Sequence, residues 1–198
     1  MADRATALSD QFTARGQLLE LQVEQHHHDE TYHREIARLS LHQRLNHMAL
    51  HFAKYTGKIA ASSEPSAITA IYVDVLIIAL STANIVNVEL YDLLEKDGQQ
   101  FPSLIAFGRS LAAGMKSDLA EHASLVRKTA ITTGRMAAAC EKIDHLEEIP
   151  FRAEIRDCVA SLAALALAFI TARGIDPTSA IHDRLDRVKS RLKLHGRI

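Results

Sequence analysis

"ALSTANIVNVELYDLL" (79–94) and "ALAFITARGIDPTSAI" (166–181) align without a gap, 87 residues apart in the chain. In each segment an uncharged helix is predicted to end at a residue that tolerates the left-handed backbone conformation, Asn87 in the first and Gly174 in the second. Helices that end in the same way at corresponding positions indicate two copies of one helical repeat.

Each copy is also predicted to start a new helix directly after this point. Glu89 and Asp176 stand two residues beyond the aligned helix ends, where an acidic side chain caps the next helix, and Pro177 suits its first turn. Further upstream, "GKIA" (57–60) matches "EKID" (141–144) at a spacing of 84 residues. The repeat therefore extends beyond the two quoted segments.

The segment "KDGQQFP" (96–102) is the best internal boundary, because its Gly, Gln and Pro residues interrupt the helical pattern. We predict two modules, 1–98 and 99–198, each containing an antiparallel helical hairpin. Composition agrees with an all-α helical bundle, since the chain has few prolines and glycines, no tryptophan and long runs of strong helix formers.

The helices follow from the spacing of apolar residues and from the breaks between them. A polar break is predicted at "HHHDET" (26–31), and further breaks at "SSEPS" and "EEIP". Glycines predict that the region from 103 to 147 is interrupted. The predicted helices are 7–25, 31–61, 66–86, a short one from 89, those within 103–147, 151–172, and a last one from 177.

Composition narrows the classes of partner. Lysine and arginine number 23 against 24 acidic residues, so no net charge attracts nucleic acid. The uncharged stretches 75–88 and 158–172 are shorter than the roughly 20 residues of a membrane-spanning helix, which predicts core helices and no membrane partner. Two cysteines and a start without signal-peptide features predict a cytoplasmic protein.

Four acidic residues flank a predicted turn in "EKIDHLEEIPFRAEIRD" (141–157). In a hairpin centred on Ile149, residues equidistant from the turn face each other, and residues three apart share one helix face. The four carboxylates would then meet in two layers, with a repulsion that a divalent cation relieves. The candidate metal ligands are Glu141, Asp144, Glu154 and Asp157.

A second interpretation of the same acids needs no metal. Lys142, Arg152 and Arg156 are interleaved with them and could pair with all four on a solvated helix surface. Both interpretations stay open at this point.

Residues 45–94, and more faintly 128–185, resemble the MazG-like all-α nucleoside triphosphate pyrophosphatases. The resemblance is carried by "LNHMALHFAKYTGKIAAS" (45–62) and "IYVDVLIIALSTANIVNVEL" (71–90), where Asp74 and "VNVEL" match the family's second acidic helix and the phrase that follows it. Members carry E-x-x-E on one helix and E-x-x-D on the next. In the first half the remaining acidic positions hold Tyr55, Lys58 and Ile71.

The resemblance implies magnesium as cofactor, a nucleoside triphosphate as substrate, and hydrolysis to the monophosphate and pyrophosphate. The catalytic residues would be Glu154 and Asp157, within the second-half acidic set. It also implies a tandem, fused version of a dimeric fold, for which a further homodimer is plausible. The alternative is a non-catalytic helical interaction or regulatory protein that keeps the fold without the ion.

The hairpin geometry makes two further predictions. Centring the first hairpin on Glu64 places Lys54 opposite Asp74, so that a lysine stands where the family's metal lies. Cys140 and Cys158 are equidistant from Ile149 and are predicted to pack across the second hairpin as small buried hydrophobic residues.

Eleven histidines are many for 198 residues. His47 and His51 share a helix face at i, i+4 and, with Asp74, could form part of a zinc or nickel site. No H-E-x-x-H motif is present, so a packed or half-buried pair is the favoured interpretation.

Overall fold

A computed structural model of the protein describes residues 13–95 and 97–191. Within these ranges the chain consists of helices joined by turns and loops, without a strand, which confirms the predicted all-α fold. The ten helices of the described ranges, numbered in chain order, are α1 Ala14–Tyr32, α2 Arg34–Ala37, α3 Leu41–Ala61, α4 Pro65–Ile85, α5 Leu90–Leu94, α6 Leu104–Gly114, α7 Lys116–Ala120, α8 His122–Asp144, α9 Phe151–Ala172 and α10 Pro177–Lys189.

Two helical hairpins form the centre of the molecule. α3 and α4 make the first, α8 and α9 make the second, and they pack with α4 against α9 and α3 against α8. α4 and α9 are apolar on nearly every face, as expected of helices surrounded by others. The fully buried rings of Tyr72 and Phe169 meet between them, with centroids 4.5 Å apart.

α4 and α9 are also long and apolar enough to cross a membrane by length and composition. In the most apolar 18-residue stretch of each helix, 67% of the stretch in α4 and 72% of that in α9 is buried inside the protein. Core helices share these properties, so the two helices are weak evidence for a membrane span.

Several helix boundaries lie where the sequence predicts them. The "SSEPS" break separates α3 from α4, which has Pro65 in its first turn. The "EEIP" break separates α8 from α9, which begins directly after Pro150. The region 103–147 is interrupted as predicted, at Met115 and Glu121, while Gly108 and Gly134 lie inside helices.

The predicted break at "HHHDET" is wrong. α1 continues through these residues, and the interruption comes at His33. α4 supplies a partner for Asp29 within this segment and for Gln22 before it. Ser81 Oγ donates a hydrogen bond to Asp29 Oδ2 at 2.6 Å, and Gln22 Nε2 donates to Asn84 Oδ1 at 3.0 Å. Residues 7–12, where α1 was predicted to begin, lie outside the described residues.

The aligned helix ends have the predicted backbone conformation. Asn87 and Gly174 both have positive φ, 56° and 72°, and the next N–H group reaches back to the same carbonyl position in each copy, from Val88 to Ala83 and from Ile175 to Ile170. This is the hydrogen bond of a Schellman motif.

The two predicted caps behave differently. Asp176 caps α10 by accepting a hydrogen bond from Thr178 N at 3.2 Å, as predicted. Glu89 stands at the N-cap of α5 but makes no capping bond, because its carboxylate instead accepts two hydrogen bonds from Arg15 of α1.

Some packing arrangements occur in both halves. α1 lies on α4 as α6 lies on α9, and α5 contacts α9 as α10 contacts α4. One hydrophobic core nevertheless runs through both halves. Hydrogen bonds from backbone N–H groups also join them, since Ala14 N donates to the Phe101 carbonyl at 3.0 Å and Leu104 N donates to the Gln17 side-chain Oε1 at 2.7 Å. The division into modules 1–98 and 99–198 stays a prediction.

Candidate functional site

The second hairpin places its four acidic residues near the turn, but each has its own surroundings. Asp144 Oδ1 lies 2.9 Å from His42 Nε2 on α3. Glu154 Oε2 accepts a hydrogen bond from Arg135 Nη2 at 2.9 Å. Glu141 Oε1 is 4.0 Å from His145 Nε2, and Asp157 is exposed and close enough to Arg135 to act on it electrostatically.

The inner face of this hairpin is occupied by other residues. Cys140, Ile155 and Cys158 are buried there. Each neighbours an acidic residue in sequence, and one residue along an α-helix turns the side chain by roughly 100°. Glu141, Glu154 and Asp157 therefore lie beside this inner face and not in it, and from there Glu154 reaches Arg135 of α8. In the described ranges no group of three or more His, Cys, Asp and Glu side chains is arranged to hold a metal ion.

The bases predicted to pair with the acids have other contacts. Lys142 Nζ lies 3.9 Å from Glu147, and Arg152 lies over the ring of Phe151. Arg156 has a buried Nε without a partner. Arg135 forms an ion pair with Glu154, and His42 lies at contact distance from Asp144, so these two acids have separate partners. Magnesium binding by Glu141, Asp144, Glu154 and Asp157 stays a prediction.

The two cysteines are free and buried, as predicted. Burial raises the pKa of the Cys140 thiol to about 11 and that of the Cys158 thiol to about 11. Such thiols stay protonated at neutral pH and are poor nucleophiles. They serve as small packing residues between α8 and α9.

A cavity of about 210 Å³ lies between α1, α3, α4 and α10, closed at one side by α2. Its apolar wall comes from α3, α4 and α10 and includes Met48, Ile77, Ile78, Leu185 and Val188. Its polar side chains come from α1, α3, α4 and α10 and from the α1–α2 link. They are Gln25, His28, Asp29, His33, Arg44, His47, His51, Tyr55, Asp74, Ser81 and Arg184. A mostly apolar cavity with convergent polar groups is the usual form of a small-molecule site.

Asp74, the acidic residue that the first half shares with the MazG-like pattern, lies on this cavity. Arg184 of α10 neutralises it with two hydrogen bonds, Nε to Oδ1 at 2.5 Å and Nη2 to Oδ2 at 3.2 Å. Burial, together with the charge of Asp74, raises the pKa of the neighbouring Tyr55 hydroxyl to about 12. The cavity wall therefore carries a paired carboxylate and a neutral phenol.

The predicted Lys54–Asp74 contact is wrong, because Arg184 takes the place expected of Lys54. Lys54 is near enough for Asp74 to act on its pKa, but its ammonium group lies 3.1 Å from His51 Nδ1 and 4.5 Å from the centroid of the Tyr55 ring. The Asp74 carboxylate is neutralised by Arg184 instead, which lies 110 residues further along the chain.

His47 and His51 form the half-buried pair that the sequence favours. Their Nε2 atoms are 3.1 Å apart, and their rings meet edge to face. Burial, followed by the charge of Lys54, lowers the pKa of His51 to about 4 and also lowers the pKa of His47. Both imidazoles are neutral at pH 7.

Within residues 13–95 and 97–191, three buried polar atoms of side chains that line the cavity have no hydrogen-bond partner. They are Gln25 Oε1, His28 Nδ1 and Arg44 Nε. Asp29 beside them is satisfied by Ser81 and by Gln25 Nε2, while burial raises its pKa. Buried polar groups are nearly always hydrogen-bonded, so these three atoms are exceptions among the described residues.

His28 makes the stability of the fold depend on pH. Burial, with smaller contributions from His33 and Lys189, lowers its pKa from 6.5 to about 4. The unfolded chain therefore binds a proton at this position before the folded protein does, and stability falls as the pH drops from about 6.5 to about 4.

We expect His28→Gln to flatten this part of the stability profile, measured by urea unfolding at pH values from 7 to 4. His47 and His51 contribute in the same direction, so a slope remains. The exposed His145 provides the control, and an equal loss of slope in His145→Gln would contradict the assignment to His28.

The sequence indicates only part of this cavity. The many histidines and the resemblance around Asp74 point toward it. Nothing in the sequence around Arg44 or Arg184 predicts that these residues line it. Comparison of the chain with protein-family models, curated proteins and solved structures gives no match.

Proposed function

We propose that the protein is a non-catalytic, ligand-binding helical protein whose cavity takes a small, flat, uncharged heterocycle with adjacent hydrogen-bond donor and acceptor groups, of which a nucleobase is the simplest example. The observation that carries the proposal is a mostly apolar cavity that is also lined by the polar side chains of Gln25, His28 and Arg44. Each of these side chains has one buried polar atom without a hydrogen-bond partner among the described residues.

These atoms specify complementary groups on the ligand. Arg44 Nε–H donates and therefore requires an acceptor, while Gln25 Oε1 accepts and therefore requires a donor. His28 Nδ1 serves either role, since the ring is neutral at pH 7. A heterocycle edge that carries both a donor and an acceptor satisfies this set.

The charge and the volume of the cavity argue for the same class of ligand. Arg44 and Arg184 are balanced by Asp29 and Asp74, so the cavity has no excess positive charge for a triphosphate. Isoleucine and methionine side chains provide a wall against which a flat ring can pack. The volume of about 210 Å³ lies below the roughly 300–1,000 Å³ of drug-sized pockets, which favours a fragment-sized ligand.

Binding can be tested with purine and pyrimidine bases and their nucleosides, by calorimetry and by thermal unfolding. We expect at least one base to bind, and Arg44→Met to weaken its affinity by at least about tenfold, because a hydrogen bond to a charged group contributes roughly 1.5–3 kcal/mol and each 1.4 kcal/mol is about tenfold in affinity. Arg38→Met is the matched control, since Arg38 is exposed and does not line the cavity. Binding unchanged by Arg44→Met would contradict the proposal.

The pyrophosphatase activity implied by the MazG-like resemblance is a separate hypothesis with its own assay. We expect no pyrophosphate release from the common nucleoside triphosphates with magnesium, because Arg135 already neutralises Glu154. Release that disappears in Glu154→Gln and in Asp157→Asn, with stability unchanged, would establish the hydrolase instead. That outcome would leave the base-binding test unaffected, because the two sets of residues are different.

A further inference from the structure

We propose that His47 and His51 chelate a divalent transition-metal ion through their Nε2 atoms, at the edge of the cavity. The inference goes beyond the proposed function and does not depend on it, because the metal alone is the ligand. It rests on the convergence of two ring nitrogens and on the open cavity beside them.

The spacing of the two nitrogens suits a shared metal ion. Zinc–imidazole bonds of roughly 2.0–2.1 Å at tetrahedral angles place two ligand nitrogens roughly 3.3 Å apart, and right-angled coordination places them roughly 2.9 Å apart. The observed Nε2–Nε2 distance of 3.1 Å lies between these values. One helical turn of α3 therefore already holds both donors at chelating distance.

The donor type selects the metal. Neutral imidazole nitrogens favour zinc, nickel, copper and cobalt, whereas magnesium prefers oxygen ligands. The chain provides two ligands at this point, and no third His, Cys, Asp or Glu of the described residues completes the set. The remaining coordination positions face the cavity, where water or the donor atoms of a small molecule can occupy them.

Lys54 controls the availability of His51. Its ammonium group can only donate, so its contact of 3.1 Å with His51 Nδ1 requires the ring proton to be on Nε2. In this tautomer His51 Nε2–H donates to His47 Nε2 and cannot bind a metal. When a metal binds, Lys54 leaves, the proton of His51 moves from Nε2 to Nδ1, and both Nε2 lone pairs become ligands. No proton is gained or lost overall.

Three kinds of variant test the site by calorimetric titration of the full chain with Zn²⁺ and Ni²⁺, and by the nitrogen couplings in the electron paramagnetic resonance spectrum of bound Cu²⁺. We expect His47→Gln and His51→Gln each to weaken binding by at least about tenfold, and Lys54→Met to strengthen it severalfold. The strengthening is a result that damage to the fold cannot produce.

Two controls distinguish this site from adventitious binding by other histidines. His26→Gln/His27→Gln removes exposed histidines from α1, and His42→Gln removes the histidine that is paired with Asp144. Unchanged binding in both controls, with two nitrogen couplings for Cu²⁺, supports the proposal. Absence of saturable binding, loss of binding in the His26/His27 variant, or binding unaffected by His47→Gln and His51→Gln overturns it.

Discussion

Replacing Asp74 by alanine is expected to lower the free energy of unfolding by about 2–3 kcal/mol, because it leaves the guanidinium group of Arg184 without its partner in a half-buried position. The Asp74 side chain is 15% exposed and that of Arg184 is 28% exposed. Their pair is one of the contacts that attach α10 to α4, so its loss also loosens one wall of the cavity.

Urea unfolding of Asp74→Ala, Arg184→Ala and the double variant measures the interaction directly. We expect a coupling energy of about 1–2 kcal/mol, with the double variant less destabilised than the sum of the single ones. Arg135 and Glu154 form the matched control pair. Their side chains are 47% and 39% exposed, and such surface pairs contribute about 0–1 kcal/mol. Equal coupling energies for the two pairs would refute a special role for Asp74.

Gly108→Ala is expected to destabilise the protein by about 2 kcal/mol, as overpacking of a tight contact does. A Cβ atom at this position of α6 would lie 2.5 Å from Thr171 Cγ2, 2.8 Å from Thr171 Oγ1 and 3.2 Å from Leu167 O. Thr171 cannot move freely, because its buried hydroxyl donates to Leu167 O at 2.7 Å. The helices α6 and α9 must therefore separate.

Gly134→Ala is the control for this prediction. Gly134 also lies inside a helix, but nothing stands within 4 Å of the position of its Cβ. Because alanine favours the helix, this variant should gain about 0.5–1 kcal/mol. Thermal and urea unfolding compare the two variants. In Gly108→Ala/Thr171→Ala the clashing γ atoms are gone, so the double variant should lose less stability than the two single changes together. Simple additivity would show that the close contact is not the cause.

The residue types of α4 and α9 predict these helices well. Their uncharged runs, the prolines at 65 and 150, and the left-handed positions Asn87 and Gly174 are local features, which act on the backbone within a turn of the residues concerned. The turn between α8 and α9 is predicted for the same reason. Local features also explain an error, because a run of six polar residues resembles a break although Asp29 within it is bonded to Ser81 of α4.

The candidate site is less predictable because it depends on rotation about helix axes. Cys140–Cys158 and Glu141–Asp157 are both equidistant from Ile149, so the rule of opposite positions fits either pair. Burial favours the thiols on the inner face over the carboxylates, which are far more strongly hydrated. The cysteines are the pair that the structure buries between α8 and α9, and convergence of the four acids on a metal ion stays a prediction.

Local chemistry along the chain is sufficient for an all-α fold, for most helix ends and for the burial of the two cysteines. The cavity and the pairing of Asp74 with Arg184, 110 residues away, arise from the way α10 packs onto α4. Such contacts join side chains from distant helices, and many lysines and arginines could have met this carboxylate equally well. The packing of the apolar helix faces brings Arg184 to Asp74, and this packing depends on all the helices together.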